Sequence, residues 1–269
     1  MKTKWRVYKG SIIPLNPPHI EVKDSSHEIQ KIVKKSNVFF ARWISNFDCG
    51  KQLNFWYVVN DTPMEIIDYS RNVRNQIRKG LKNFEIKIVD KSIIEQDGYD
   101  IYTKALQNQI TLWNLKDKDT FIKELQGEWE FWGIYFASNL IGFSQNKIAN
   151  DCCDYSTIKI DPSYKKNYPS YALFFLMNRY YLNEMKLNYV TDGARSLTNH
   201  SNIQYFLIKK FKFRKAFCYL HVVYYPYIKI LINLLFPFRN FFAGFNIDFL
   251  KKISIVLNQE EIVRNQKDE

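Results

Sequence analysis

The sequence predicts a mixed α/β (α+β) fold in which a mixed central sheet is flanked by helices. Three observations carry this expectation. The chain has 269 residues, 46% of them apolar, enough to bury a substantial core. It carries 21 Phe and 18 Tyr, types that favour strands. Its apolar residues alternate in some stretches and recur at spacings of three and four in others, so strands and helices are interleaved.

Residues 1–60 read as strands and turns. The segment 5–8 is a short strand, Pro14, Pro17 and Pro18 mark a loop, and 52–59 (QLNFWYVV) is an aromatic strand. Asp61-Thr62-Pro63 signals a helix start. In the helix that follows, Val73, Ile77, Leu81 and Phe84 form an apolar face. Arg71, Arg74, Arg78 and Lys82 form a basic stripe beside it, either a solvated face or a contact for phosphate or another anionic substrate. A strand is predicted over 86–89, and helices over 98–113 and 117–126, the latter capped by Asp117 or Asp119.

From Glu130 the pattern changes. Strands are predicted over 131–137 and 140–147, joined by Ser138-Asn139, with a polar turn over 150–154 and a strand over 155–160. A helix over 170–186 is apolar nearly all round. A strand over 187–192 ends in Asp192-Gly193-Ala194-Arg195, a helix follows over 202–210, and 216–225 alternates as one long strand. The apolar segment 227–236 is too short, and too interrupted by Lys229, Asn233 and Pro237, to span a bilayer. It is either a helix packed on the core or an interfacial membrane helix aided by Lys229, Arg239, Lys251 and Lys252. The charged end, 258–269, is expected to fray. These shifts divide the chain into an N-terminal elaboration (1–127) packed on the core, the core (128–225) and a C-terminal extension (226–269).

The net charge of +12 favours an anionic partner, such as a CoA phosphate, a nucleic acid or an anionic membrane surface, unless it only keeps the protein soluble. Cys49, Cys152, Cys153 and Cys218 make no disulfide framework, and the adjacent pair lacks the spacing of a metal site. No metal is expected, and the thiols suit a reducing compartment. Residues 1–10 are basic and polar with no apolar stretch after them, so a cytoplasmic location is expected.

The stretch 156–173, STIKIDPSYKKNYPSYAL, carries the strongest functional signal. A strand with Ile158 and Ile160 on one face, and Thr157 and Lys159 on the other, runs into Asp161-Pro162-Ser163-Tyr164. Then come Lys165-Lys166-Asn167-Tyr168-Pro169-Ser170 and an apolar helix. This order, within the element order of 130–225, resembles the cofactor-binding core of the GNAT acyltransferases, where V-x-P-x-Y feeds R-G-x-G-x-G. Lys165 stands at the first basic position; Lys166, Tyr168 and Ser170 replace glycines. The resemblance implies a GNAT-like fold and acetyl-CoA or another acyl-CoA as donor. Lys165, Lys166, Asn167, Tyr168 and Ser170 would hold the pyrophosphate, and backbone at Ile158, Lys159 and Ile160 the pantetheine, where two strands splay. A second match, Asn202-Ile203-Gln204 through Phe211-Lys212-Phe213, resembles the family's N-x-x-A…Y-x-x-x-G-F ending. Lys212 replaces the glycine there, and Ile208 the general-acid tyrosine. Ser70 through Lys82 (S-x-x-x-R-x-x-I-R-x-G-x-K) is similar to a segment of Fem-type aminoacyltransferases and of GNAT-like proteins from cell-surface polysaccharide clusters.

Acyl transfer to an amine needs a base, a donor for the carbonyl oxygen and an acid for the leaving group. Asp192, ending a predicted strand before Gly193, is the first candidate base; its structural alternative is a cap or a pair with Arg195. His200 in the following loop and Asp154 at the start of the central strand are the other catalytic candidates; an exposed loop histidine and a turn residue are the plain alternatives. Gln145 and Asn146 are expected on the acceptor side, and Arg71, Arg74, Arg78 and Arg195 at an anionic substrate. The expected activity is acyl transfer from acyl-CoA to an amine or hydroxyl of a cell-envelope sugar or precursor, a small-molecule or lipid-linked acceptor met at the inner face of the membrane. The alternatives are Fem-type transfer from aminoacyl-tRNA, with the basic stripe on the tRNA, and a non-catalytic binding module.

Overall fold

The computed structural model describes residues 2–8, 10–107, 115–196, 202–243 and 248–266. The first part of the chain forms β1 (Trp5–Tyr8), β2 (Ser11–Pro14), α1 (Ser26–Lys35), β3 (Phe40–Ser45) and β4 (Trp56–Asn60). Next come α2 (Arg71–Asn83), β5 (Glu85–Val89), α3 (Lys91–Gln107) and α4 (Lys118–Glu124). The middle holds β6 (Glu130–Phe136), β7 (Asn139–Ala149), β8 (Cys152–Ile160), α5 (Pro169–Asn178), β9 (Tyr189–Ala194) and α6 (Ile203–Phe211). The last part holds β10 (Arg214–Phe217), β11 (Tyr219–Tyr224), α7 (Pro226–Leu235), α8 (Arg239–Ala243) and α9 (Asp248–Asn265). The strands form a four-stranded sheet, β1-β2-β3-β11, and a seven-stranded sheet, β10-β4-β9-β8-β7-β6-β5.

The residues cluster into two compact units, Met1–Tyr57 with Ala194–Asn199 and Lys215–Glu269, and Val58–Gly193 with His200–Arg214. Each is thus assembled from separated stretches, whereas the sequence reading divides the chain into consecutive segments at 127 and 225. The chain passes from one unit to the other within β4, at the end of β9 and within β10.

In the first unit, β3 alternates between two cores. Ala41 packs with Ile12, Ile29 and Val33 on the α1 side, while Ile44 packs with Phe55, Leu220 and Ile262 on the α9 side. Helix α1 replaces the turns expected near residue 30. Its start is a capping box: the Ser25 hydroxyl accepts from the Glu28 N–H at 3.3 Å, and the Glu28 carboxylate accepts from the Ser25 N–H at 2.9 Å. Within the expected frayed tail, residues 258–265 are helical, with Gln259 and Ile262 buried along α9 beside Leu257.

In the second unit the period-two rule distributes β7 over two layers. Phe143 reaches the core under α3 and α4, edge-on to Phe121 at 6.1 Å, and the Gln145 amide donates to Glu124 O at 3.0 Å. Ser144 and Asn146 face the other way, towards α5. Helices therefore cover both faces. The hairpin turns are Ala137-Ser138 and Asn150-Asp151, all four at positive φ, the geometry favoured between twisted strands. They start β7 and β8 earlier than predicted, so Asp154 lies inside a strand, not in a turn.

Other boundaries also move. Asp61-Thr62-Pro63 leads to a 3₁₀ turn at Ile66–Asp68, and α2 starts at Arg71. Gly98 lies inside α3, against Ile94 and Phe121. The single strand expected over 216–225 is two, because the Cys218 N–H turns to Phe55 O at 3.2 Å and the chain changes sheet. The helix expected over 170–186 becomes π-helical over Arg179–Glu184.

Helix α2 packs closely against α5. The buried face of α2 is Val73, Ile77 and Gly80, with Phe84 as its cap residue. A Cβ on Gly80 would lie 2.6 Å from the Tyr168 carbonyl oxygen and 2.9 Å from the Ala172 Cβ. Alanine would gain about 1 kcal/mol of helix propensity but overpack by about 1–3 kcal/mol. Gly80→Ala is expected to lower the urea midpoint at unchanged m. A midpoint at or above wild type would show that α2 and α5 separate freely.

Candidate functional site

Strands β8 and β9 run parallel, but their pairing is confined to Cys152 with Tyr189, Cys153 with Val190, and Asp154 with Thr191. Beyond Asp154 the β9-side edge of β8, residues 155–160, has no partner strand among the described residues, while the other edge stays paired with β7. Thr191 holds β9 to its other neighbour, its hydroxyl donating to Val58 O at 2.9 Å. The two strands thus splay at their C-terminal ends, as the resemblance implies, and Ile158, Lys159 and Ile160 lie on the open edge.

Two carboxyls stand where the splay begins. Asp192 follows Thr191 and precedes Gly193, whose φ of 81° turns the chain there. Burial, and then the charge of Asp154, push the Asp192 carboxyl up to about 7 against a hydrogen bond from Gln204. Asp154 accepts from the Ser156 hydroxyl at 2.9 Å. A carboxyl poised near neutral pH is suited to taking and returning a proton. Gln204 was not among the expected residues; it lies on α6, and only the folded chain brings it to Asp192.

The loop after β8 is closed on itself. Residues Pro162–Asn167 form a 3₁₀ turn whose cap, Asp161, accepts from the Ser163 N–H at 2.9 Å and hydroxyl at 2.6 Å. The Tyr168 N–H bonds Lys165 O at 3.3 Å, and the N–H groups of Tyr171 and Ala172 bond Tyr168 O at 3.2 and 3.4 Å. Pro169, buried at the start of α5, has no N–H. Of the backbone donors implied for a pyrophosphate, the Tyr168 N–H is therefore spent internally and Pro169 offers none. Lys165 and Lys166 are exposed, and Asn167 and Ser170 half-buried. Lys79 of α2 stacks 5.1 Å from the Tyr168 ring centre and adds a cation beside the loop.

Two positions where the resemblance loses a glycine keep a glycine-like backbone. Tyr168 has φ 64° and Lys212 φ 61°. Lys212 caps α6 in the left-handed conformation that usually selects glycine.

The remaining expected residues are dispersed. His200 lies outside the described residues. Asn202 is exposed at the start of α6. Gln145 and Asn146 are buried and occupied: Gln145 as above, and Asn146 with the Tyr181 hydroxyl at 3.0 Å, Met177 and Ser144. The expected acceptor-side role has no support in that geometry, because the alternation of β7 turns both side chains inward. Arg71 and Arg78 are exposed, while Arg74 donates to Ile67 O at 3.0 Å. Arg195 belongs to the other unit, where its guanidinium stacks 4.5 Å from the Trp56 ring centre and donates to Asn54 O. Among the described residues no group of His, Cys, Asp and Glu could hold a metal ion.

No family model and no curated protein matches the chain. Solved structures do. The C-terminal domain of a candidate lysylphosphatidylglycerol synthetase from Agrobacterium fabrum is similar at TM-score 0.53 and 11% identity, over 82% of each chain. FemX is similar at TM-score 0.55 and 8% identity, over 79% of this chain and 81% of that one. The likeness is one of fold, and it gives this chain a GNAT-like acyltransferase fold of mixed α/β class.

Two stability tests follow from this geometry. An unfolded aspartate ionises near pH 4, whereas folded Asp192 holds its proton to about 7. The native state is therefore favoured at low pH, and that advantage is lost as pH rises through 7. Asp192→Asn is expected to be more stable than wild type at pH 8, by about 1–3 kcal/mol after discounting for partial exposure. The gap in urea midpoints should widen between about pH 4 and 7 and then level off; a pH-independent gap would place the Asp192 carboxyl in an ordinary environment. Lys212→Gly is expected to gain about 1 kcal/mol in the same assay; a loss would mean that the Lys212 side chain outweighs its backbone strain.

Proposed function

We propose that this chain transfers an acyl group from an activated donor to an amine or hydroxyl of a cell-envelope sugar or precursor. The observation that carries the proposal is the β8–β9 splay with the Asp192 carboxyl where it opens. The acceptor nitrogen or oxygen attacks the donor carbonyl carbon, and its proton passes to Asp192. Backbone N–H groups on the open edge of β8 face the oxyanion that forms. Collapse breaks the bond to the leaving group, which takes up a proton as the acyl–acceptor bond remains.

Acyl-CoA is the donor that the open edge favours. Its pantetheine amides would pair along 158–160, and Lys165, Lys166 and the Ser170 hydroxyl would meet its phosphates as side chains. A second donor, aminoacyl-tRNA as in the Fem-type transferases, is favoured by the closed loop. Exposed Arg71, Arg78, Lys79 and Lys82 on α2 supply cations suited to an extended polyanion. The name of the Agrobacterium fabrum protein also denotes an aminoacylated phospholipid, in keeping with a lipid-linked acceptor at the inner membrane face.

Acetyl-CoA at a hundredfold excess over its Kd is expected to stabilise the protein by about 2.7 kcal/mol. With saturating CoA inert, transfer from charged tRNA that falls in Arg78→Ala/Lys82→Ala would assign the second donor; silence in both assays would leave a binding module. For the active donor, kcat/KM should rise with pH through about 7. Asp192→Asn should cost about 10²–10⁴-fold, and Asp154→Asn, which removes the neighbouring charge, should shift the profile to lower pH. An unshifted profile would separate Asp154 from the base.

A further inference from the structure

Helix α7 is apolar on two opposite faces, yet only one is covered. Ile228, Ile232 and Leu235 pack with Tyr224 and Leu257, which accounts for the burial of the segment. On the other side Tyr227, Ile230, Leu231 and Leu234 recur at helical spacing, with Tyr227 75% and Leu234 66% exposed. The chain continues the same way: Phe238 and Phe241, 62% and 65% exposed, extend the apolar surface into α8. Isolated exposed apolar residues are ordinary, but six over fifteen consecutive positions form a patch that water does not favour.

Within the segment that carries this patch the charge has one sign. Residues 226–247 include Lys229 and Arg239 and no carboxylate. Arg239 is turned inward, paired with Glu261 at 2.9 Å and stacked on Phe236. Lys229 is exposed on the flank of the apolar stripe. No helix among the described residues is long and apolar enough to cross a membrane. A second copy of the chain would be a poor complement, since the segment it would bring, 226–247, carries no carboxylate to meet Lys229. An apolar face flanked by a lysine matches the interface of an anionic bilayer: apolar side chains enter the acyl boundary while the ammonium group reaches back to the phosphates.

We infer that the outer face of α7 and α8 is a docking surface for anionic lipid, laying this part of the protein in the plane of a membrane. It draws only on the unit that contains α7–α9, so its failure leaves the acyl-transfer proposal standing, and the reverse. The test is co-sedimentation of the full chain with vesicles of phosphatidylcholine mixed with phosphatidylglycerol, against phosphatidylcholine alone. Wild type should partition onto the mixed vesicles and less onto the neutral ones. Leu231→Ser/Leu234→Ser/Phe238→Ser should lose about tenfold in partitioning, and Lys229→Gln about fivefold. These side chains are exposed, so the variants should melt like wild type. As a second readout, Phe238→Trp emission should shift to the blue when mixed vesicles are added. Equal partitioning of wild type and the triple variant, or no partitioning of wild type, would overturn the inference. So would a wild-type dimer in gel filtration that the triple variant abolishes, since a second copy would then be the occupant.

Discussion

The position of α5 on its sheet governs the candidate site, and a polar knot in an apolar interface fixes that position. The Tyr181 hydroxyl donates to the Glu130 carboxylate and accepts from Trp132 Nε1 at 2.9 Å and Asn146 Nδ2 at 3.0 Å. These groups join β6 and β7 to the π-helical turn that follows α5. Burial pushes the Tyr181 hydroxyl far above its usual range, so it stays protonated. Apolar packing alone would accept several rotations of so uniformly greasy a helix. Leaving any one of these buried partners unpaired costs about 1–3 kcal/mol, which selects a single register. From that register follow where α5 begins, where its loop closes, and which edge of β8 faces the splay.

The glycine logic of the loop has moved to its neighbour. In a phosphate-binding loop, missing Cβ atoms let an anion approach the backbone. Here the missing Cβ is that of Gly80 on α2, and what approaches is the Tyr168 carbonyl. Tyr168 accepts a left-handed backbone, with its ring between Lys79 and Tyr171. The cations beside this loop, Lys165, Lys166 and Lys79, are point charges, which meet an anion without dictating its geometry.

The sequence made the core order of strands and helices legible because period-two and period-four patterns are local. That Asp192 stands late in a strand, before a turning Gly193, was legible too. Gln204 was not, because its meeting with Asp192 depends on how α6 packs. Asn146 misled for a related reason: a polar residue in a strand looks available until the partner on the facing helix is known. Helix α1 could have been found, since Ser25 and Glu28 spell a capping box ahead of Ile29 and Val33. The break at Cys218 carried no local signal, because the alternation continues unbroken through a change of sheet.

The two left-handed hairpin turns have a consequence for how the molecule assembles. Strands β6, β7 and β8 are consecutive and joined by two residues each, so bringing them together closes almost no loop. The pairing of β8 with β9 must close a loop of some thirty residues that includes α5, and β4 reaches β9 from more than a hundred residues away. One wall of the candidate cleft is therefore cheap in chain entropy and the other dear. An edge of β8 left open by its late, long-range neighbour is also an edge that a wrong strand could take during synthesis.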